Sequence, residues 1–256
     1  LDPGNYENLA EICRRAIGGN LPQGNSSYKA KTEYIKPAYA APADEWQYMT
    51  EKIINDCQNR LQSENKALEY LKKRGLTEET IKEFRLGYSP GYTENETFIA
   101  RGIVIPSLAK GHIWYIKIRK PAKPGEAKYT MVKGSKPAAI FNSDWLEGAE
   151  YALFCEGEFD CMIAHQELNN IVACATLGSV TNTPDLATWG IYLISLKHIF
   201  SAYDHDSAGD TGHKRLAELA GNRVKHAPIP GGKDINEFYS AGGNLLDWMV
   251  PYLKAI

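Results

Sequence analysis

Apolar positions recur at helical spacing from Asp44 onward. Trp46, Met49, Ile53, Ile54, Cys57 and Leu61 share one face, and Ala67, Leu68 and Leu71 share another. Gly75 stops the second helix. Thr77 predicts the cap of a third, with Glu78 and Glu79 in the first turn, where the helix dipole favours acids, and Ile81 and Phe84 inward. The run Leu86-Gly87-Tyr88-Ser89-Pro90 then reads as a turn. Ahead of this trio, residues 5–18 predict an amphipathic helix carrying Leu9, Ile12, Cys13, Ala16 and Ile17, ended by Gly18-Gly19. Residues 19–44 lose all periodicity, carry Pro22, Pro37 and Pro42, and read as a linker.

The period then changes. Phe98–Ala100, Gly102–Pro106 and Ile113–Arg119 are short strand-like runs. In the last, Ile116 and Ile118 alternate with Lys117 and Arg119, which places the two basic residues together on a solvent-facing side of a sheet. From Tyr151 the order becomes strand, helix, strand, helix, strand, helix, strand. Strands are expected at 151–155, 171–176, 197–203 and 223–227. Helices are expected after Glu156, from Thr183-Pro184-Asp185 with Thr at the cap, and over Thr211–Ala220. That alternation predicts an α/β fold with a mainly parallel sheet flanked by helices, preceded by a mixed α+β subdomain.

Composition narrows this only a little. The 256 residues are 43% hydrophobic and 23% charged, which is ordinary for a globular chain. A formal net charge of −2 means that a nucleic-acid surface, if present, is local. Such a stretch exists: Arg101, Lys117, Arg119, Lys120, Lys123, Lys128, Lys133 and Lys136 fall together with few acids, and suit phosphate contact better than a merely solvated face. Cys13, Cys57, Cys155, Cys161 and Cys174 contain no C-x-x-C pair and read as structural thiols. Their odd number, with no signal peptide, points to a cytoplasmic protein. No apolar run reaches the roughly 18–20 residues of a membrane span. The start at Leu1 rather than Met suggests part of a longer chain.

The chemistry gathers at strand ends. Glu156 follows one apolar run, Asp204 and Asp206 follow another, and Asp234 lies beyond the fourth. In an open α/β sheet that rim is where ligands collect. Carboxylates brought together repel, and hard oxygen donors of this kind suit Mg²⁺ or Mn²⁺. Two such ions activate an attacking hydroxyl and stabilise a leaving pyrophosphate. Asp204 and Asp206, at i and i+2 of an extended chain, are expected to point the same way, with Gly157 and Gly209 letting phosphates approach. His205 reads as solvent-facing or satisfied rather than a ligand, and Glu158 as solvent-facing. Lys233 suits either a phosphate or the acidic pocket.

Glu156-Gly157-Glu158-Phe159-Asp160 with Asp204-His205-Asp206-Ser207-Ala208-Gly209 resembles the TOPRIM domain of bacterial primases, topoisomerases and some nucleases. Tyr70–Ile81 with Leu86–Pro90, Arg101–Pro106, Lys128-Tyr129-Thr130, Thr176–Ser179 and Lys233-Asp234 are similar, in order, to the RNA polymerase core of DnaG-type primases. The resemblance spans roughly residues 45–240. It implies a nucleotidyltransferase that makes RNA primers on single-stranded DNA. Glu156, Asp204 and Asp206 would be catalytic, and with Asp160 and Asp234 would hold two or more Mg²⁺ or Mn²⁺ ions. Arg101, Lys117, Arg119 and Lys128 would contact nucleotide or nucleic acid. The partners implied are a single-stranded DNA template, ribonucleoside triphosphates, an RNA–DNA hybrid and, through regions outside this chain, a replicative helicase. The family's zinc-binding and helicase-binding domains are not expected here, so zinc is not expected either. Residues 5–18 would be the tail of the former. Asn236 stands where the family often has an Asp, and Met131–Phe141 is longer than the usual link. Expected divisions are 1–44 (helix and linker), 45–148 (basic subdomain), 149–232 (TOPRIM) and 233–256 (C-terminal helical segment). A TOPRIM-type metal-dependent nuclease shares the site chemistry, but the polymerase-like residues 67–140 speak against it. A non-catalytic nucleic-acid-binding module is the third reading.

Overall fold

The computed structural model describes residues 40–123, 125–179, 181–204 and 206–255, which lie in one compact unit, Pro37–Ile256. The expected helix over 5–18, the linker up to residue 39, Cys13 and His205 fall outside the described residues.

Helix α1 (Asp44–Ser63) buries Ile53, Ile54, Cys57 and Leu61 completely, the stripe that its spacing predicts. Helices α2 (Asn65–Lys73) and α3 (Glu78–Glu83) follow, and the Thr77 hydroxyl caps α3 by accepting from the Thr80 N–H at 3.1 Å. The expected turn after Leu86 is instead a strand, β1 (Gly87–Ser89), antiparallel to residues 102–104. Gly87 makes this possible, because a Cβ there would lie 2.6 Å from Cys57 Cβ on α1. After the hairpin β2 (Tyr92–Glu94) and β3 (Thr97–Ile99) come β4 (Gly102–Ala109), β5 (His112–Arg119) and β6 (Tyr129–Met131). With β1 they form an antiparallel sheet in the order β1-β4-β5-β6. Strand β4 runs on past Pro106, because its pairing with β1 ends at Val104 and the ladder there needs no N–H from proline.

The second sheet holds β7 (Tyr151–Cys155), β8 (Ala173–Thr176), β9 (His198–Ala202) and β10 (Val224–His226) in the order β10-β9-β7-β8, every pair parallel. Its flanking helices are α4 (Glu158–Leu168), α5 (Leu186–Ile194), α6 (Ser207–Ala220), α7 (Ile235–Ser240) and α8 (Leu245–Lys254). Two starts differ from expectation because an aspartate outcompetes the residue chosen from the pattern. Asp185, rather than Thr183, caps α5 by accepting from Thr188 N–H and hydroxyl. Asp206 caps α6, which starts at Ser207 rather than Thr211.

Both sheets contribute to one core. Trp114 of β5 meets Trp189 of α5 at 4.6 Å between ring centroids, and Phe154 and Phe200 are fully buried beside them in the same cluster. Tyr115, on the side of β5 that carries Lys117, is 2% exposed in this cluster, so that side is covered. Lys117 is 8% exposed, which corrects the solvent-facing placement. The four described cysteines are free and buried, and burial raises the Cys155 and Cys161 thiols well above their ordinary value. No helix among the described residues is long and apolar enough to cross a membrane.

Candidate active site

The strand register brings the acids together. Cys155, the last residue of β7, is level with Thr176 of β8 on one side and Ala202 of β9 on the other. The segments leaving those strands, Glu156-Gly157, Leu177-Gly178 and Tyr203-Asp204, therefore share one rim. Thr176 Oγ1 donates to the Glu156 carbonyl at 3.0 Å and accepts from Gly178 N–H at 2.9 Å, tying two of these exits together.

Glu156 Oε2 is buried without a hydrogen-bond partner among the described residues. Burial and then the Asp204 carboxylate push the Glu156 pKa up, against a hydrogen bond from the Asp204 backbone, and Asp206 adds to the repulsion. Asp204 is raised by burial too, with Asp234 and Asp206 contributing, while Lys233 Nζ at 3.2 Å from its Oδ2 pulls it back down. Lys233 thus pairs with the acidic pocket from a largely exposed position, its side chain 59% exposed. Asp160 is pushed up to about 7 by burial and then by Asp234, opposed by the Asn236 N–H donating to its Oδ1 at 3.1 Å. Asp206 differs: Gly209 and Ala208 N–H donate to its Oδ1 at 3.0 and 2.9 Å and hold it below the ordinary carboxylate range.

The expected i, i+2 geometry is not what joins Asp204 to Asp206. Strand β9 ends at Ala202, and the chain folds back so that Asp206 N–H donates to the Asp204 carbonyl at 2.9 Å. What brings the pair together is the helix cap. Gly209 serves the same turn. A Cβ there would lie 1.9 Å from Asp204 O, so its smallness admits the chain's own backbone rather than a phosphate. A Cβ at Gly157 would meet only Asp160 Oδ2, at 3.5 Å, an ordinary contact.

No group of three or more His, Cys, Asp or Glu side chains among the described residues is already set as a metal cage. The donor chemistry nevertheless fits a hard divalent cation. Glu156 offers a buried, unpartnered oxygen, and Glu156, Asp160 and Asp204 are raised by burial and mutual repulsion that such an ion relieves.

Part of the basic set forms a groove of about 370 Å³ whose lining includes Tyr70, Tyr88, Arg101, Arg119 and Lys120. Arg101 Nε donates to Tyr88 OH at 3.2 Å, and Arg119 Nη1 to Tyr129 OH at 2.6 Å. Lys128 is exposed just before β6. Lys117 is not in this groove. Its ammonium lies 2.8 Å from both oxygens of Glu158, whose placement in solvent is likewise corrected, since Glu158 is 1% exposed. Tyr70 and Arg74, quoted from the sequence only as part of a motif, both pack on Phe159 (Arg74 is 4.7 Å from its centroid), and Asn236 Nδ2 donates to the Arg74 carbonyl at 2.6 Å. The signal for Lys117 was available: Tyr115 lies two residues back on the same side of β5, and a bulky aromatic there argues for a covered face.

Two family descriptions match in sequence order: DNA primase catalytic core, N-terminal domain, over residues 56–108, and Toprim-like over residues 153–239. A DNA primase from Clostridium acetobutylicum is 28% identical over 222 residues, 72% of this chain and 36% of that protein. The chain therefore spans little more than a third of that relative. Among solved structures, the Aquifex aeolicus primase zinc-binding and RNA polymerase domains superpose with a TM-score of 0.67 at 21% identity, covering 96% of this chain and 66% of that one. The DnaG primase catalytic domain bound to ssDNA gives 0.64 at 17%, covering 80% of this chain and 78% of that one. The chain is thus similar to DnaG-type primase cores over two successive regions, and shares their fold.

The raised carboxyls set a pH dependence. Asp160 ordinarily titrates at 3.8 and here at about 7, so between those values the folded protein binds more protons than the unfolded chain. Stability of the metal-free protein then falls as pH rises through that window, by roughly 2–4 kcal/mol. Melting in EDTA from pH 5 to 8 should show a falling midpoint for the unsubstituted protein and a flatter profile for Asp160→Asn. A midpoint that rises with pH in both would contradict the assignment.

Proposed function

We propose that this chain synthesises short RNA primers on single-stranded DNA by nucleotidyl transfer. The observation that carries the reading is the rim itself: Glu156 with a buried, unpartnered oxygen, facing Asp204 and Asp206 at neighbouring strand ends. Glu156, Asp160, Asp204, Asp206 and Asp234 would hold Mg²⁺ or Mn²⁺, which when bound neutralises triphosphate charge and activates the attacking 3′-hydroxyl. Arg101, Arg119 and Lys120 hold phosphates in the groove, with Lys128 at its margin, and Tyr70 and Tyr88 offer ring faces on which bases can stack. Lys117 acts in this reading through Glu158 rather than on phosphate. Positioning and charge neutralisation supply the rate, with no covalent enzyme intermediate. Template DNA, ribonucleoside triphosphates and the RNA–DNA hybrid are the ligands of this reading, and a helicase is the partner of the longer protein, in the cytoplasm. The subdomains 45–148, 149–232 and 233–256 belong to the same proposal.

Incubation with single-stranded DNA, labelled ribonucleotides and Mg²⁺ or Mn²⁺ tests it. Template-dependent RNA of a few nucleotides is expected. Labelled DNA degraded in the absence of nucleotides, with no RNA made, would transfer the site to the nuclease reading.

A further inference from the structure

We infer that the buried Lys117–Glu158 pair is a positioning device for Glu156, clamping the two turns on either side of that carboxylate to strand β5. This rests on the reading of Glu156 as a metal-holding group. The contacts are specific. Lys117 Nζ lies 2.8 Å from each Glu158 oxygen and 2.8 Å from the Gly178 carbonyl, and 4.7 Å from the centre of the Tyr129 ring. Tyr115 OH donates to Glu158 Oε1 at 3.0 Å. Glu158 opens α4, two residues after Glu156, so holding it fixes the turn that presents Glu156. Gly178 belongs to the neighbouring strand exit, where its N–H meets Thr176 Oγ1, which in turn donates to the Glu156 carbonyl. One ammonium therefore grips both turns that frame Glu156.

Stability alone does not account for the pair. A buried ion pair is generally no more stabilising than apolar side chains of similar volume. What an apolar pair cannot do is donate to the Gly178 carbonyl while holding the first turn of α4. Gly178 is fitted to this arrangement: it has φ +75°, and a Cβ there would lie 3.0 Å from Glu158 Oε1 and 3.5 Å from Tyr115 OH.

The test uses the whole chain and reads Mn²⁺ affinity by calorimetry alongside melting temperature. Lys117→Met combined with Glu158→Leu removes both charges at once and should melt close to the unsubstituted protein. Its Mn²⁺ dissociation constant should nevertheless rise about 10-fold or more, the usual consequence of losing a group that orients a ligand. Thr176→Val, which deletes the hydroxyl that joins the Glu156 carbonyl to the Gly178 N–H, keeps the test open if the double variant does not fold, and should weaken Mn²⁺ in the same direction. Lys110→Met, which breaks an exposed pair with Glu147, should leave both readouts unchanged. A double variant or Thr176→Val that folds and binds Mn²⁺ as tightly as the unsubstituted protein overturns the inference. An unsubstituted protein that binds Mn²⁺ but makes no primers would instead sink the proposed activity, leaving the positioning role to be read from the Mn²⁺ affinities.

Discussion

Asp204→Asn lowers template-dependent ribonucleotide incorporation by a factor on the order of 10²–10³, while the protein melts at or slightly above its normal temperature. The two halves of that expectation come from the same geometry. Asp204 repels Glu156, Asp206 and Asp234, so it interacts with acids of both groups. Removing its charge takes away the carboxylate that both groups share. Burial already disfavours that charge in the folded protein, so its pKa is raised, and at neutral pH the ionised form works against folding. Asparagine keeps the shape and relieves the repulsion. The one partner lost is Lys233, whose exposed side chain makes the bridge worth little. Primer synthesis and calorimetry on the same preparation check both halves. Incorporation that survives would remove Asp204 from the reaction.

Gly209→Ala should be nearly as damaging to activity, and it should also destabilise. Alanine is ordinarily the better helix residue by about 1 kcal/mol. At Gly209 the added Cβ would stand 1.9 Å from the Asp204 carbonyl oxygen, 2.9 Å from its carbon and 3.0 Å from its nitrogen, all backbone atoms that cannot swing aside. Either α6 retreats or the Asp204 turn opens, and in both cases Asp206, whose carboxylate accepts the Gly209 N–H, moves as well. A loss of about 1–3 kcal/mol in urea unfolding is expected, as for other forced overpacking. Gly190→Ala in α5 is the matched control. Its Cβ would find only Leu186 Cβ at 3.9 Å, so it should stabilise by about 0.5–1 kcal/mol without touching incorporation. Equal behaviour of the two variants would show that the Asp204 turn is softer than its contacts imply.

Legibility in the sequence followed the type of physics involved. The parallel sheet was readable because its strands are short apolar runs, each followed by a helix-forming stretch, and burial on both faces demands that pattern. The acidic rim was readable because Glu156 and Asp204 follow directly on such runs. The functional assignment came from resemblance to a family rather than from periodicity. What escaped depended on contacts between distant segments. Alternation puts Lys117 and Arg119 on one side of β5, and Tyr115 hints that this side is covered, but nothing local says that α4 and the Gly178 turn cover Lys117 while Arg119 lines the groove. Glu158 was misplaced for the same reason, since its partner lies 41 residues earlier. The shifted starts of α5 and α6 have a local cause: Asp185 is a better cap than Thr183, and Asp206 caps α6 ahead of its expected start at Thr211.

In the proposed function Glu156, Asp204 and Asp206 form one divalent-ion site at the end of the parallel sheet. Anomalous scattering from crystals soaked in Mn²⁺ reads this directly. Manganese peaks are expected in contact with the carboxylates of Glu156 and Asp204, and are expected to be lost in Asp204→Asn. Saturating Mn²⁺ with no peak there, and Glu156 still without a partner, would contradict it.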